Sequence, residues 1–311
     1  MAKNRPQQSN RLTRNSVEKS RRRRIRFFLI VIIAIIILTF INLKTVIRTA
    51  DEAKNKSSEM DINEGIEEKA ILKSEDRNDW INNIKIYSKK SDNAKYILEN
   101  LDQLDDPMIR LASDRPDALG FVAKFINPSR RNNFDYDRNG YNIIVTPNKS
   151  IPYYVQWDEA WGYKQYGYGI IGFTGCGPTS MAMVVSGLTG DKNITPDVIA
   201  NMSEEKGFVS EEGSSWDLYP YIAGQFNLRL QKIGNTKESI DNNLKAGNAI
   251  IVSVGPGDFT LHGHVMVIVG LDKDGNIILH DPNSVENTKK TWTYEQLAPQ
   301  IKSLWAVGTN K

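Results

Sequence analysis

The run GCGPTSMAMVVSGLTG, residues 175–190, decides how this chain folds. Glycines flank Cys176 and leave its sulfur uncrowded, Pro178 suits a first helical turn, and Ala182, Met183 and Val185 carry a helical apolar pattern that Gly187 and Gly190 end. The pattern predicts a helix with Cys176 at its amino terminus. Free backbone N–H groups and the helix dipole favour a thiolate there, and they offer one donor to an oxyanion. Cys176 is the single cysteine of the 311 residues, so a disulfide within the chain is excluded and the local sequence must say whether the thiol is structural or reactive.

Reading on from Gly190, two segments carry helix start signals: 195–207, with Pro196 in the first helical position, and 214–226, starting at Ser214 or Ser215 and offset by Pro220. The texture then changes to strands at 249–254, 264–271, 276–280 and 303–309, with the DKDG of 272–275 as a hairpin turn. Upstream of the cysteine, YNIIVT and IPYYVQW read as strands. Helices first and antiparallel sheet afterwards predict an α+β domain over residues 145–311. Residues 80–144 are expected to form a small helical subdomain and its connection. An amphipathic helix starts there at Ser91 or Asp92, and a second runs from Pro116 to Ile126.

The amino-terminal end reads differently. Residues 27–43, FFLIVIIAIIILTFINL, carry no charge and as a helix would reach roughly 25 Å. Extended to residue 47, the segment is expected to be a transmembrane anchor with the lipid bilayer as its partner. Ten Lys or Arg against one acid precede it, so the positive-inside rule predicts a basic cytoplasmic tail over 1–26. A polar stalk over 48–79 and a cell-membrane, single-pass protein with an extracellular catalytic domain follow from that topology. The formal charge of +3 is therefore a local surplus. Ten of the 40 basic residues but one of the 37 acidic ones lie in 1–26, which leaves an acidic remainder and argues against a nucleic-acid binder.

A thiolate needs a proton acceptor, and the chain has three histidines, His262, His264 and His280. His264 opens the strand HVMVIVGL, where a strand edge can fix its ring, while His262 reads as a loop residue. Asp281 ends the strand that the DKDG hairpin pairs with that of His264, so it can arrive beside the imidazole as its orienting partner. A zinc site from Cys176, His264 and His280 or Asp281 is acceptable by residue type. No close Cys-x-x-Cys or His-x-x-x-His pair anchors one, so neither metal nor organic cofactor is expected.

The segments IPYYVQWDEAWGYKQYG, GCGPTSMAMVVSGLTG and GHVMVIVGLDKDGNIILHDPNS, in that order over about residues 150–308, resemble the bacterial C39-like peptidase family of the papain-like superfamily. The resemblance implies a papain-like fold and a Cys176, His264, Asp281 triad. It also implies an oxyanion-stabilising glutamine, matched here by Gln156 with Gln165 as its rival. Many papain-like relatives place that glutamine about six residues before the cysteine, where this chain has Ile170. The expected function is a membrane-anchored extracellular thiol hydrolase of peptide or amide bonds. A cell-wall amidase or transpeptidase and a catalytically inactive surface binding or scaffold protein are the alternatives. Its substrate would be a peptide, a protein or a peptidoglycan stem peptide. Tyr153, Tyr154, Trp157, Trp161 and Tyr168 either line a substrate groove or build core.

Overall fold

Side-chain caps organise the start of the structure, a computed structural model that describes residues 74–130, 143–146, 149–210 and 213–310. Asp76 caps α1 (Arg77–Ser88) by accepting from the Asn78 N–H, and Ser91 caps α2 (Asp92–Glu99) by accepting from Ala94. Asp105 does the same for α3 (Asp106–Asp114), which has Pro107 in its first turn. A short 3-10 turn over Pro116–Ala118 leads into α4 (Leu119–Ile126). The helices predicted from Ser91 or Asp92 and from Pro116 therefore form, and each is shorter than its apolar pattern because a 3-10 turn takes up part of it.

The next elements build the ground on which the cysteine helix stands. β1 (Ile143–Thr146) pairs antiparallel with β2 (Lys149–Ile151), and the predicted strand IPYYVQW stops at Ile151. Pro152 brings no N–H to a ladder, and beyond it the chain runs irregularly with Tyr153, Val155 and Trp157 fully buried. A tight hairpin of β3 (Gln165–Tyr166) and β4 (Gly169–Ile170) precedes α5 (Ile171–Thr174) and then α6 (Cys176–Thr189). α6 ends on Gly190 in the left-handed region (φ 80°), as its sequence predicts. Gly187 has a separate task, because a Cβ there would lie 2.6 Å from the Ser150 carbonyl oxygen and 2.8 Å from the Ile151 Cα. Its missing side chain lets β2 cross directly over α6.

α7 (Pro196–Glu205) follows, then the small hairpin of β5 (Val209–Ser210) and β6 (Gly213–Ser214), and then α8 (Leu218–Gln225). α8 starts later than predicted. The shift places Pro220 in its first turn, where the missing N–H breaks no helical bond.

β7 (Leu228–Ile233), β8 (Ala249–Val254), β9 (His264–Leu271), β10 (Ile277–His280), β11 (Thr291–Trp292) and β12 (Ile301–Thr309) make one antiparallel sheet in the order β11-β10-β9-β8-β12-β7. Strict alternation separates its two faces. Ala249, Ile251, Val265, Val267 and Val269 join the cluster that contains α6, whereas Ile250, Val252, Val254, Met266 and Ile268 join a second cluster. Ile240 and Leu244 of α9 (Lys237–Lys245) cover that second face. Each fully buried aliphatic side chain of this kind contributes about 1.5–3 kcal/mol. The first cluster continues without a break into α1–α4, whose Ile84, Ile109 and Phe121 share it with Val184 and Val267.

The architecture is thus α+β, a helical region followed by an antiparallel sheet, but the anchored topology is corrected. Among the described residues no helix is long and apolar enough to cross a membrane. The physical reason is length: α6, the longest of them, has 14 residues, or roughly 21 Å against a hydrocarbon core of about 30 Å. Residues 27–47, with the tail and most of the stalk around them, lie outside the described residues. The transmembrane helix and signal-anchor, the bilayer partner, the single-pass cell-membrane localisation and the function as an anchored extracellular hydrolase are withdrawn together, since all four depended on that helix.

Candidate active site

Cys176 occupies the first position of α6, after Gly175, and is a free, half-buried thiol. The glycines around it have packing reasons that the sequence did not disclose. A Cβ on Gly175 would collide with the Ile171 carbonyl oxygen, and one on Gly177 would lie 2.5 Å from the Ser214 Oγ. Ser214 in turn shares a hydrogen bond of 2.7 Å with the Tyr166 hydroxyl, so β6 is held tightly under the first turn of α6.

The opposite wall is the start of β9. The Ser180 hydroxyl donates to the Val265 carbonyl at 3.1 Å, which fixes α6 against the strand one residue beyond His264. His264 is 7% exposed, and its Nε2 lies 2.7 Å from Oδ1 of Asp281, which is fully buried. The Cys176 side chain is close enough to the ring to add to the pull on its proton. Burial alone would depress the imidazole. The charge and hydrogen bond of Asp281, joined by Cys176, outweigh it and push His264 up to about 9. Burial would likewise raise the Asp281 carboxyl, but His264, Arg115 and Asn287 hold it below the ordinary carboxylate range.

Asp281 is well supplied with donors. Its Oδ1 also accepts from the Asn283 N–H at 2.9 Å, its Oδ2 accepts from the Asn287 Nδ2 at 2.7 Å, and its own N–H donates to the Thr288 hydroxyl at 2.9 Å. Asn287 and Thr288 lie on α10 (Val285–Lys289) and were not predicted from sequence. Their only local signal is Ser284, which caps that helix by accepting from the Asn287 N–H.

Gln156 and Gln165 part company. Gln165 is exposed on β3, whereas Gln156 is 2% exposed and its Nε2 donates to the carbonyls of Gly172 (2.9 Å) and Phe173 (3.2 Å), just before the cysteine helix. The segment around Gln156 is fastened to the Asp281 loop. Gln156 N–H donates to the Pro282 carbonyl at 2.7 Å and the Tyr153 hydroxyl to the Asp281 carbonyl at 2.8 Å. Of the aromatics proposed for a groove, Tyr153, Tyr154, Trp157 and Trp161 are core, and Tyr168 is 83% exposed. His280 is buried with its Nδ1 3.1 Å from the Pro152 carbonyl, and His262 lies on the surface 3.1 Å from Glu75. Among the described residues no group of three or more His, Cys, Asp or Glu side chains is arranged to hold a metal ion.

A helix that begins with a cysteine, packed on a sheet that carries a histidine and its carboxylate partner in an α+β domain, is the arrangement of the papain-like superfamily. The chain belongs to the Peptidase_C39 like family, whose model matches residues 148–308. Among solved structures, one match is the peptidase domain of Streptococcus ComA, a bi-functional ABC transporter involved in a quorum sensing pathway. It is 16% identical, the alignment covers 48% of this chain and 99% of that one, and the TM-score of 0.36 carries no argument about activity. No curated protein matches the chain.

Proposed function

We propose that the domain is a cysteine peptidase-type enzyme that transfers acyl groups from amide bonds, with Cys176 as nucleophile. One observation carries this reading: Asp281 takes Nε2 of His264 at 2.7 Å on the strand to which the Ser180 hydroxyl fastens the helix that begins with the thiol of Cys176. In this scheme the Cys176 sulfur attacks the amide carbonyl carbon. The oxyanion that forms is held by the N–H of Cys176, at the free end of the helix, with Gln156 as the second donor. The C–N bond breaks as the His264 imidazolium gives its proton to the departing amine. His264 then removes a proton from water, which attacks the thioester and releases a carboxylic acid and the thiol. Asp281 keeps the ring in the orientation both steps need. A peptide or protein amide is the substrate class. With the anchored topology withdrawn, no argument from location favours a cell-wall substrate, and peptidoglycan fragments released by the protein would mark the amidase variant.

A second reading, a binding domain that retains the fold without turnover, has its own observation. The Gln156 Nε2 donates to the carbonyls of Gly172 and Phe173, and its Oε1 is buried with no partner. An amide proton taken up by those carbonyls is lost to an oxyanion.

Iodoacetamide labelling across pH 5 to 9 separates the two. Rapid labelling of Cys176 at pH 6, lost in His264→Ala, is the outcome for a nucleophile paired with its base. Slow labelling in both proteins that rises only towards about pH 8.5, where an ordinary thiol titrates, would sink the catalytic reading.

A further inference from the structure

The helices of residues 74–130 lie outside the stretch matched by the family, 148–308, yet they press on the parts that position the proposed nucleophile's partners. Phe121 of α4 is fully buried. Its ring stacks on Tyr163 with centroids 4.1 Å apart and planes at 4°, and the Tyr163 hydroxyl donates to the Phe121 carbonyl at 2.9 Å. A Cβ on Gly162 would lie 2.8 Å from that ring and 2.9 Å from the Asp158 carbonyl oxygen, and one on Gly172 would lie 3.1 Å from the ring and 3.2 Å from the Gly162 carbonyl oxygen, so both glycines border the phenyl group as well as the backbone. Those glycines are joined to each other, since the Gly172 N–H donates to the Gly162 carbonyl at 2.9 Å. Gly172 is also the residue whose carbonyl receives the Gln156 amide.

The same helical region reaches the loop before the histidine strand at the surface. Glu75 binds Arg110 of α3 through both oxygens, at 2.9 and 2.7 Å, and also reaches Nε2 of His262 at 3.1 Å. His262 stands two residues before His264. No hydrogen bond or ion pair runs from this region to Cys176 itself among the described residues.

Resting on the thiol chemistry proposed above, we infer that residues 74–130 are a clamp on the active site and that Phe121 is a positioning residue for Gln156. It acts by holding the Gly162–Gly172 pair on which the glutamine amide is seated. Packing alone would explain a buried phenylalanine. The link to the glutamine lies in Gly172, which borders the ring and whose carbonyl accepts from the Gln156 Nε2.

Two reactions of Cys176 distinguish a positioning role from a merely structural one. Acylation by p-nitrophenyl acetate passes through an oxyanion and needs the glutamine wall, whereas alkylation by iodoacetamide forms no oxyanion and needs only the thiolate. In the full chain, Phe121→Leu and Tyr163→Ala are compared with wild type by both reagents over pH 5 to 9, with Tm recorded alongside. Tyr163 is half-buried, so its replacement loosens the stack from outside even where a Phe121 variant fails to fold. The expected result is an acylation rate lowered about tenfold with the alkylation rate and its pH profile within about twofold of wild type. Acylation unchanged in the folded variants, or both rates falling together, overturns the clamp. A wild-type thiol that iodoacetamide does not label at pH 6 overturns the proposed function instead, and the clamp with it.

Discussion

Raising the pH should weaken this fold through one buried ring. Against the burial that depresses it, the Asp281 carboxylate pushes His264 up to about 9 in the folded protein from 6.5 for an ordinary histidine. A raised folded value means that the proton contributes stability in full below pH 6.5 and that this contribution disappears as the pH rises through 9. Asp281 acts in the opposite direction: its lowered carboxyl contributes above the ordinary carboxylate range and is lost only in acid, so it is constant across neutral and basic pH. At 1.36 kcal/mol per pKa unit, the loss between pH 7 and 9.5 is about 2 kcal/mol. With a urea m-value of about 2 kcal/mol/M, the unfolding midpoint should fall by about 1 M over that interval. In Asp281→Asn the charge that raises His264 is gone while the burial that depresses it remains, so the interval should become nearly flat at a lower overall stability. Urea titrations of both proteins at pH 7, 8, 9 and 9.5 measure this. A wild-type midpoint that holds or rises with pH would refute the charged imidazole and the pairing built on it.

Three further outcomes follow from the geometry. Gln156→Ala should slow acylation of Cys176 by p-nitrophenyl acetate by about 100-fold, whereas Gln165→Ala, on an exposed strand, should leave it unchanged; a loss confined to Gln165→Ala would reverse the assignment of the glutamine. Asn287→Ala removes the 2.7 Å bond to Asp281 Oδ2 and should cost about 1.5–3 kcal/mol of stability above pH 5, the usual size for a bond to a charged group, read from urea midpoints. Gly187→Ala drives a methyl group against the Ser150 carbonyl and Ile151 and should cost about 1–3 kcal/mol, or roughly 5 °C in Tm; an unchanged Tm would mean that β2 moves aside without cost.

The sheet and the cysteine helix were legible because their signals are local. Ala249–Val254 and His264–Leu271 are short β-branched apolar runs bounded by turn residues, buried on both faces, and the glycines and Pro178 mark the helix ends. The meeting of His264 with Asp281 was also readable, since a short hairpin at 272–275 fixes the register between their strands. Other features depend on distant partners and leave no local trace. Nothing in the residues around Gly162, Gly172 or Gly177 says that Phe121 and Ser214 occupy the space beside them. IPYYVQW alternates like a strand but is drawn off the sheet at Pro152, because its hydrogen bonds go to the Asp281 loop 128 positions away. The membrane anchor was read from a stretch of 17 uncharged residues that lie outside the described structure, and the helices that are described are too short for it.

The fastening of residues 152–157 to 280–283 has a consequence for recognition. Pro152, Tyr153, Gln156 and Trp157 each share a hydrogen bond with the other segment, so the glutamine and aspartate sides of the cleft move as one body. The conformational entropy of arranging them is surrendered during folding rather than at each encounter with a ligand. Affinity and fold stability are therefore coupled at this seam: a substitution that frees one segment from the other makes every binding event bear the cost of ordering it again.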